Sequence, residues 1–150
     1  MSKPIITRVR RLDRTIAAVI ASALGAQSIR RITSAAQWIR TTVAGAQTFN
    51  LPAATGKGGM YRFFIGVTAT GNKIIKASGT DTMQGSAAMA GGTPNTFASA
   101  SNTNTITLNG STSGGVLGTQ VELWDIAPGT WAVQVSSVGT GIQVTPFSNT

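Results

Sequence analysis

The stretch Gln120-Val-Glu-Leu-Trp-Asp-Ile-Ala-Pro-Gly-Thr-Trp-Ala-Val-Gln-Val-Ser136 decides the fold class. In its first half Val121, Leu123 and Asp125 alternate with Glu122 and Trp124. In its second half Trp131, Val133 and Val135 alternate with Ala132, Gln134 and Ser136. A period of two marks a strand with one buried face. Pro128-Gly129, between the halves, suits a type II turn, with Pro second and Gly third.

Working outward, the same reading recurs along the chain. Met60-Tyr-Arg-Phe-Phe-Ile-Gly-Val67 is a strong strand signal behind the turn Gly56-Lys-Gly-Gly59. Strands are also expected over 30–43, which contains Trp38, and over 47–51, 72–78, 82–85, 87–90 and 103–108, with Gly, Pro and Asn between them. Residues 91–115 hold few apolar side chains and read as a long loop flanking one strand, with Asn109-Gly110 as a hairpin-turn pair. No internal repeat is visible. Eight or so short strands in 150 residues predict an all-β fold, a β-sandwich or jelly-roll-like body.

Composition supports that class and narrows function. The chain is 41% hydrophobic and only 11% charged, with 18 glycines. Helical bundles need more Glu, Lys and Leu than this. There is no Cys, so neither a disulfide framework nor a thiolate metal site can form. There is no His, so the commonest acid–base group near neutral pH is missing. The acids are Asp13, Asp81, Glu122 and Asp125, and nothing in their spacing pairs two of them in a cleft. The expectation is a non-enzyme with no cofactor and no metal. Gly56-Lys-Gly-Gly59 lacks the Walker spacing and precedes a strand, so it reads as a turn. Asp81 reads as a turn brace. Trp124 and Trp131 read as core or cross-strand packing rather than as stacking platforms.

Charge divides the chain. Residues 1–40 carry Lys3, Arg8, Arg10, Arg11, Arg14, Arg30, Arg31 and Arg40 against Asp13, a net +7. The remainder carries Lys57, Arg62, Lys73 and Lys76 against three acids, a net +1. The expected division is a basic N-terminal arm, 1–40, and a sandwich body, 41–150. Such asymmetry marks an interaction segment, and arginine suits partly buried, bidentate contact with carboxylates. Ile16, Val19, Ile20 and Leu24 fall at helical spacing in an Ala-rich run, so the arm is expected to be extended or to carry a short helix, with Thr15 before it and Gly25 after it. The run is about half the length a membrane span needs. Its basic start and small residues near Ala23 mimic a secretory leader, but the Ala-rich stretch is weakly apolar and Asp13 interrupts the basic part.

Four phrases carry a resemblance: Leu51-Pro-Ala-Ala-Thr-Gly-Lys-Gly-Gly-Met-Tyr-Arg-Phe63, Thr80-Asp-Thr-Met-Gln-Gly85, Thr105-Ile-Thr-Leu-Asn-Gly-Ser-Thr-Ser-Gly-Gly115 and Val121-Glu-Leu-Trp-Asp-Ile-Ala-Pro-Gly-Thr-Trp-Ala-Val133. Over residues 48–147 the body is similar to the β-sandwich domains of head decoration (cement) and head-fibre proteins of tailed phages. The resemblance implies a homotrimer on the surface of a phage head, bound to the major capsid protein. Residues 1–40 lie outside it. On this reading Arg8, Arg10, Arg11, Arg14, Arg30 and Arg31 meet acidic shell residues, while Ile16, Val19, Ile20 and Leu24 bury apolar surface against the partner. The alternative is a tail-fibre or receptor-binding virion domain that meets a host glycan. Nucleic-acid binding is the weakest reading, because the neutral body offers no basic stacking platform.

Overall fold

The computed structural model describes residues 17–20, 26–28 and 36–150. Regular structure among them is all β: β1 (Ala17–Ile20), β2 (Ala26–Ser28), β3 (Ala36–Thr41), β4 (Gln47–Asn50), β5 (Met60–Ile65), β6 (Lys73–Lys76), β7 (Thr82–Ala90), β8 (Asn95–Ala98), β9 (Thr105–Leu108), β10 (Gln120–Ala127), β11 (Thr130–Val138) and β12 (Phe147–Ser148). They form a seven-stranded sheet, in order β1-β3-β5-β10-β11-β7-β8, and a five-stranded sheet, in order β12-β9-β6-β4-β2. None of the described residues form a helix long and apolar enough to cross a membrane.

Side-chain parity builds the core. Tyr61, Phe63 and Ile65 of β5, Val121 and Leu123 of β10, and Trp131, Val133 and Val135 of β11 point inward. Phe49 and Ile75 of the other sheet meet them, with Ile106, Leu108 and Phe147. The Phe49 and Phe63 rings touch across the sheets at 5.2 Å. Trp131 is fully buried and sits edge-on to Tyr61 at 5.5 Å. Two sheets thus close on one apolar layer, as a sandwich does.

The pairing direction is less ordinary. From β1 to β6 the chain alternates between sheets, and each strand runs parallel to the one two before it. β1, β3 and β5 are parallel neighbours in one sheet, and β2, β4 and β6 in the other. Parallel neighbours need a long crossover, and here the opposite sheet supplies it. The result is a flattened coil whose rungs stack Trp38 on Arg62 and Gln47 on Lys73. Antiparallel strands then close it, β10 on β5 and β9 on β6. A jelly roll is built from antiparallel ladders, so the two-layer sandwich is the part of the expectation that this topology carries.

Three local expectations change. Residues 91–115 are not one loop with one strand, because Asn95–Ala98 pairs antiparallel with β7 as an edge. Residues 82–90 form one strand rather than two. Asn109-Gly110 does not close a two-residue hairpin, since β9 and β10 lie in different sheets. Instead Asn109 Oδ1 accepts from Ser111 N and Ser113 N, and Gly110 takes φ +82° with Ala69 O so near that a Cβ would sit at 1.8 Å from it. Pro128-Gly129 does turn as expected, with φ +74° at Gly129.

Among the described residues one cation is buried. Lys73 is 1% exposed, and its Nζ donates to Val43 O at 2.5 Å, to Gly45 O and to Gln47 Oε1 at 2.9 Å. It thereby holds the crossing from β3 to β4. Lys73→Met keeps the volume and takes the donor from the Val43 and Gly45 carbonyls and from Gln47 Oε1. It should lower the unfolding free energy by about 2–4 kcal/mol in urea denaturation. Burial pushes the Lys73 ammonium below the usual 10.5. In the alkaline range just under 10.5 the unfolded chain therefore binds more protons than the folded one, and stability rises with pH. Across that range the wild type should gain melting temperature relative to K73M.

Candidate functional site

Arg8, Arg10, Arg11, Arg14, Ile16, Leu24, Arg30 and Arg31 lie outside the described residues, as do Thr15 and Gly25. Val19 and Ile20 lie within them, in β1, with their backbones opposite Arg40 and Thr41 of β3. Of the two forms expected of the arm, extended or carrying a short helix, Ala17–Ile20 takes the extended one. The cause is physical: Val and Ile lose rotamer freedom in a helix, a ten-residue helix is marginal alone, and β3 offers an unfilled ladder edge. The boundary expected between residues 40 and 41 falls inside β3, whose whole length pairs with β5.

The acids of the body are all engaged. Asp125, 1% exposed, accepts at Oδ1 from Thr55 N (2.8 Å) and Gly56 N (2.6 Å). Its Oδ2 accepts from Lys57 N at 3.4 Å and from the Thr55 hydroxyl at 3.2 Å. Asp81 Oδ2 accepts from Ala54 N at 2.6 Å. So Asp81 and Asp125 do converge, but on one loop as backbone braces. In the Gly56-Lys-Gly-Gly59 turn the amides of Gly56 and Lys57 donate to the Asp125 carboxylate, and that of Gly58 donates to the Asp125 backbone carbonyl. Glu122 forms an ion pair with Arg62. Among the described residues no group of three His, Cys, Asp or Glu could hold a metal.

The outer face of the seven-stranded sheet is the surface with chemistry on it. Trp38 is 43% exposed. Its ring stacks on Phe64 at 5.3 Å and 18°. The Arg62 guanidinium lies 4.8 Å over the Trp38 ring, while Glu122 holds its other end. Registered rows cross the strands from there: Trp38, Arg62, Glu122 and Gln134 in one, and Phe64, Gln120, Ser136 and Ala88 in the next. Trp124 is half-buried on this same face, beside Met60. A hollow of about 130 Å³ opens at Gln120, Glu122, Gln134 and Ser136. A wider one of about 580 Å³ adjoins it over Ala88, Ala90 and Pro94.

Sequence parity held the signal for this face. Arg40 lies two residues from Trp38, Arg62 two from Phe64, and Glu122 two from Trp124. In a strand such pairs share a side, and a charge marks that side as wet. Compared with known proteins, the chain matches no family model, no curated protein and no solved structure.

Replacing Asp125 tests the loop brace. Asp125→Ala should cost about 2–4 kcal/mol and Asp125→Asn about half of that, because an amide oxygen still accepts from Thr55 and Gly56. Urea titrations give the ranking, and hydrogen exchange at those two amides should quicken most in D125A.

Proposed function

We propose that this chain is a structural, non-catalytic virion protein: a decoration (cement) subunit on a phage head, bound through its basic N-terminal segment to the major capsid protein as a homotrimer. The observation that carries the reading is the charge split, a net +7 over residues 1–40 against +1 over the rest. The placement of β1 and β2 supports it. They lie at the N-terminal edges of the two sheets, so the basic segment leads into both layers of the body. Force on the segment would be taken up by backbone ladders rather than by one loop. A subunit that binds the closed shell better than separated capsomers stabilises the shell by that difference. Three segments on one trimer gain from effective concentration.

The exposure of Trp38 favours a second reading, a tail-fibre or receptor-binding virion domain, in which the same segment docks to the particle and the sheet faces outward.

The test uses heads of the phage that encodes the chain. Arg8, Arg10, Arg11 and Arg14, all replaced by Ala, should reduce binding to those heads more than about tenfold in cosedimentation, while the melting curve stays unchanged. Undiminished binding of that variant would remove the N-terminal segment from the function. Absence of any binding by the wild type would remove decoration itself.

A further inference from the structure

We propose that copies of this chain join through one end of the sandwich, the end built from loops 42–46, 66–72, 91–94, 109–119 and 139–146. This names a surface for the homotrimer in the reading above and rests on that part of it.

The first observation is where the exposed apolar side chains lie. Seven large ones are exposed among the described residues. Five of them, Val67, Leu117, Val138, Ile142 and Val144, sit at this one end, where β5 and β11 finish and β10 starts. Leu117 is 62% exposed and Ile142 77%. A single exposed aliphatic is ordinary, whereas a cluster of them marks a contact surface.

The second is charge. None of these loops contains Asp, Glu, Lys or Arg. Arg40, on the outer face of β3, borders the end without belonging to it. The opposite end carries Lys57 and Asp81. The chain also enters β1 from that opposite end, because β1 runs parallel to β3. A chain of net charge +8 repels its own copies. Two copies therefore meet at least cost where neither presents a charge. A charged partner would find no counter-charge in these loops. A lipid surface is poorly matched too, since segments that lie among headgroups present Trp, Tyr, Lys or Arg, and these loops have none.

The third is order and shape. Hydrogen bonds tie the loops to one another. Leu117 N donates to Thr68 Oγ1 at 3.0 Å, and Ala69 N to Gly115 O at 2.9 Å. Thr140 N donates to Ser111 O at 3.1 Å, and Val144 N to Thr112 O at 3.0 Å. Gln143 Nε2 donates to Gly91 O at 3.0 Å. A surface already fixed in this way loses little freedom on binding. Beside it the hollow of about 580 Å³ over Ala88, Ala90 and Pro94 offers a seat for an aliphatic side chain of the other copy. A standard interface takes about 20–30 residues a side, and these loops supply that many.

The test uses the full chain in sedimentation equilibrium and light scattering. The wild type should associate at micromolar concentration, and raised salt should not weaken the assembly, since no ion pair crosses it. The double variant L117K/I142K places like charges face to face, and should weaken association about a hundredfold or more with its circular dichroism unchanged. Both residues are exposed, so neither change empties the core. Ile126→Lys, at the opposite end, and Trp38→Ala, on the sheet face, should leave the mass unchanged. If L117K/I142K keeps the wild-type mass, this inference fails and the homotrimer stands on another surface. If the wild type has the mass of a single chain, the homotrimer fails with it, while binding to heads is read separately. Binding of a single-chain wild type to neutral phosphatidylcholine vesicles, lost in L117K/I142K, would make this end a lipid contact instead.

Discussion

Every time the chain crosses from one sheet to the other it carries backbone groups through the edge of an apolar layer, and those groups must find partners. Two buried charges of opposite sign meet that need. Lys73, in β6, collects carbonyls from the crossing between β3 and β4. Asp125, in β10, collects amides from the crossing between β4 and β5, and Asp81 adds one more. A carbonyl cluster calls for a cation and an amide cluster for an anion, so the signs are dictated by which ends of the peptide groups face inward. Each brace comes from a strand later in the sequence than the crossing it ties. The coil is thus locked by elements that arrive after it.

That arrangement explains how so few charges hold a body of this size. Lys73 and Asp125 are placed inside and fully engaged, and Arg62 and Glu122 neutralise each other outside. Arg40, Lys57 and Lys76 are the other cations outside, and much of the remaining surface is left to Gly, Ser, Thr, Asn and Gln. Such a surface is hydrated with few charges. It leaves the N-terminal segment as the most charged part of the chain.

What was legible in the sequence follows from what a two-residue period reports. It reports which side of a strand is buried, and it did so for Gln120–Ala127 and Thr130–Val138. It does not report the direction of the neighbour, so the parallel coil of β1 to β6 was hidden. The rungs differ in length, so no repeat betrayed it. Asn95–Ala98 was hidden for another reason: as an edge it has little to bury, and its pattern is polar. Ala17–Ile20 stayed open between two forms because an Ala-rich run with Ile16, Val19 and Ile20 at helical spacing fits a helix as well as a strand, and the deciding factor, the free edge of β3, lies elsewhere in the chain.

The candidate face shows the same limit from the functional side. Tryptophan is usually read as core, and for Trp131 that reading holds. For Trp38 the neighbouring Arg40 already marked its side as outward, because Ile39 and Thr41 take the buried parity. A tryptophan placed in phase with arginine cannot also be in phase with the core. The same phase relation links Phe64 to Arg62 and Trp124 to Glu122. The three outward aromatics lie on β3, β5 and β10, which are consecutive strands in the sheet. Strand order, which no single strand carries, is therefore what turns three separate exceptions into one surface.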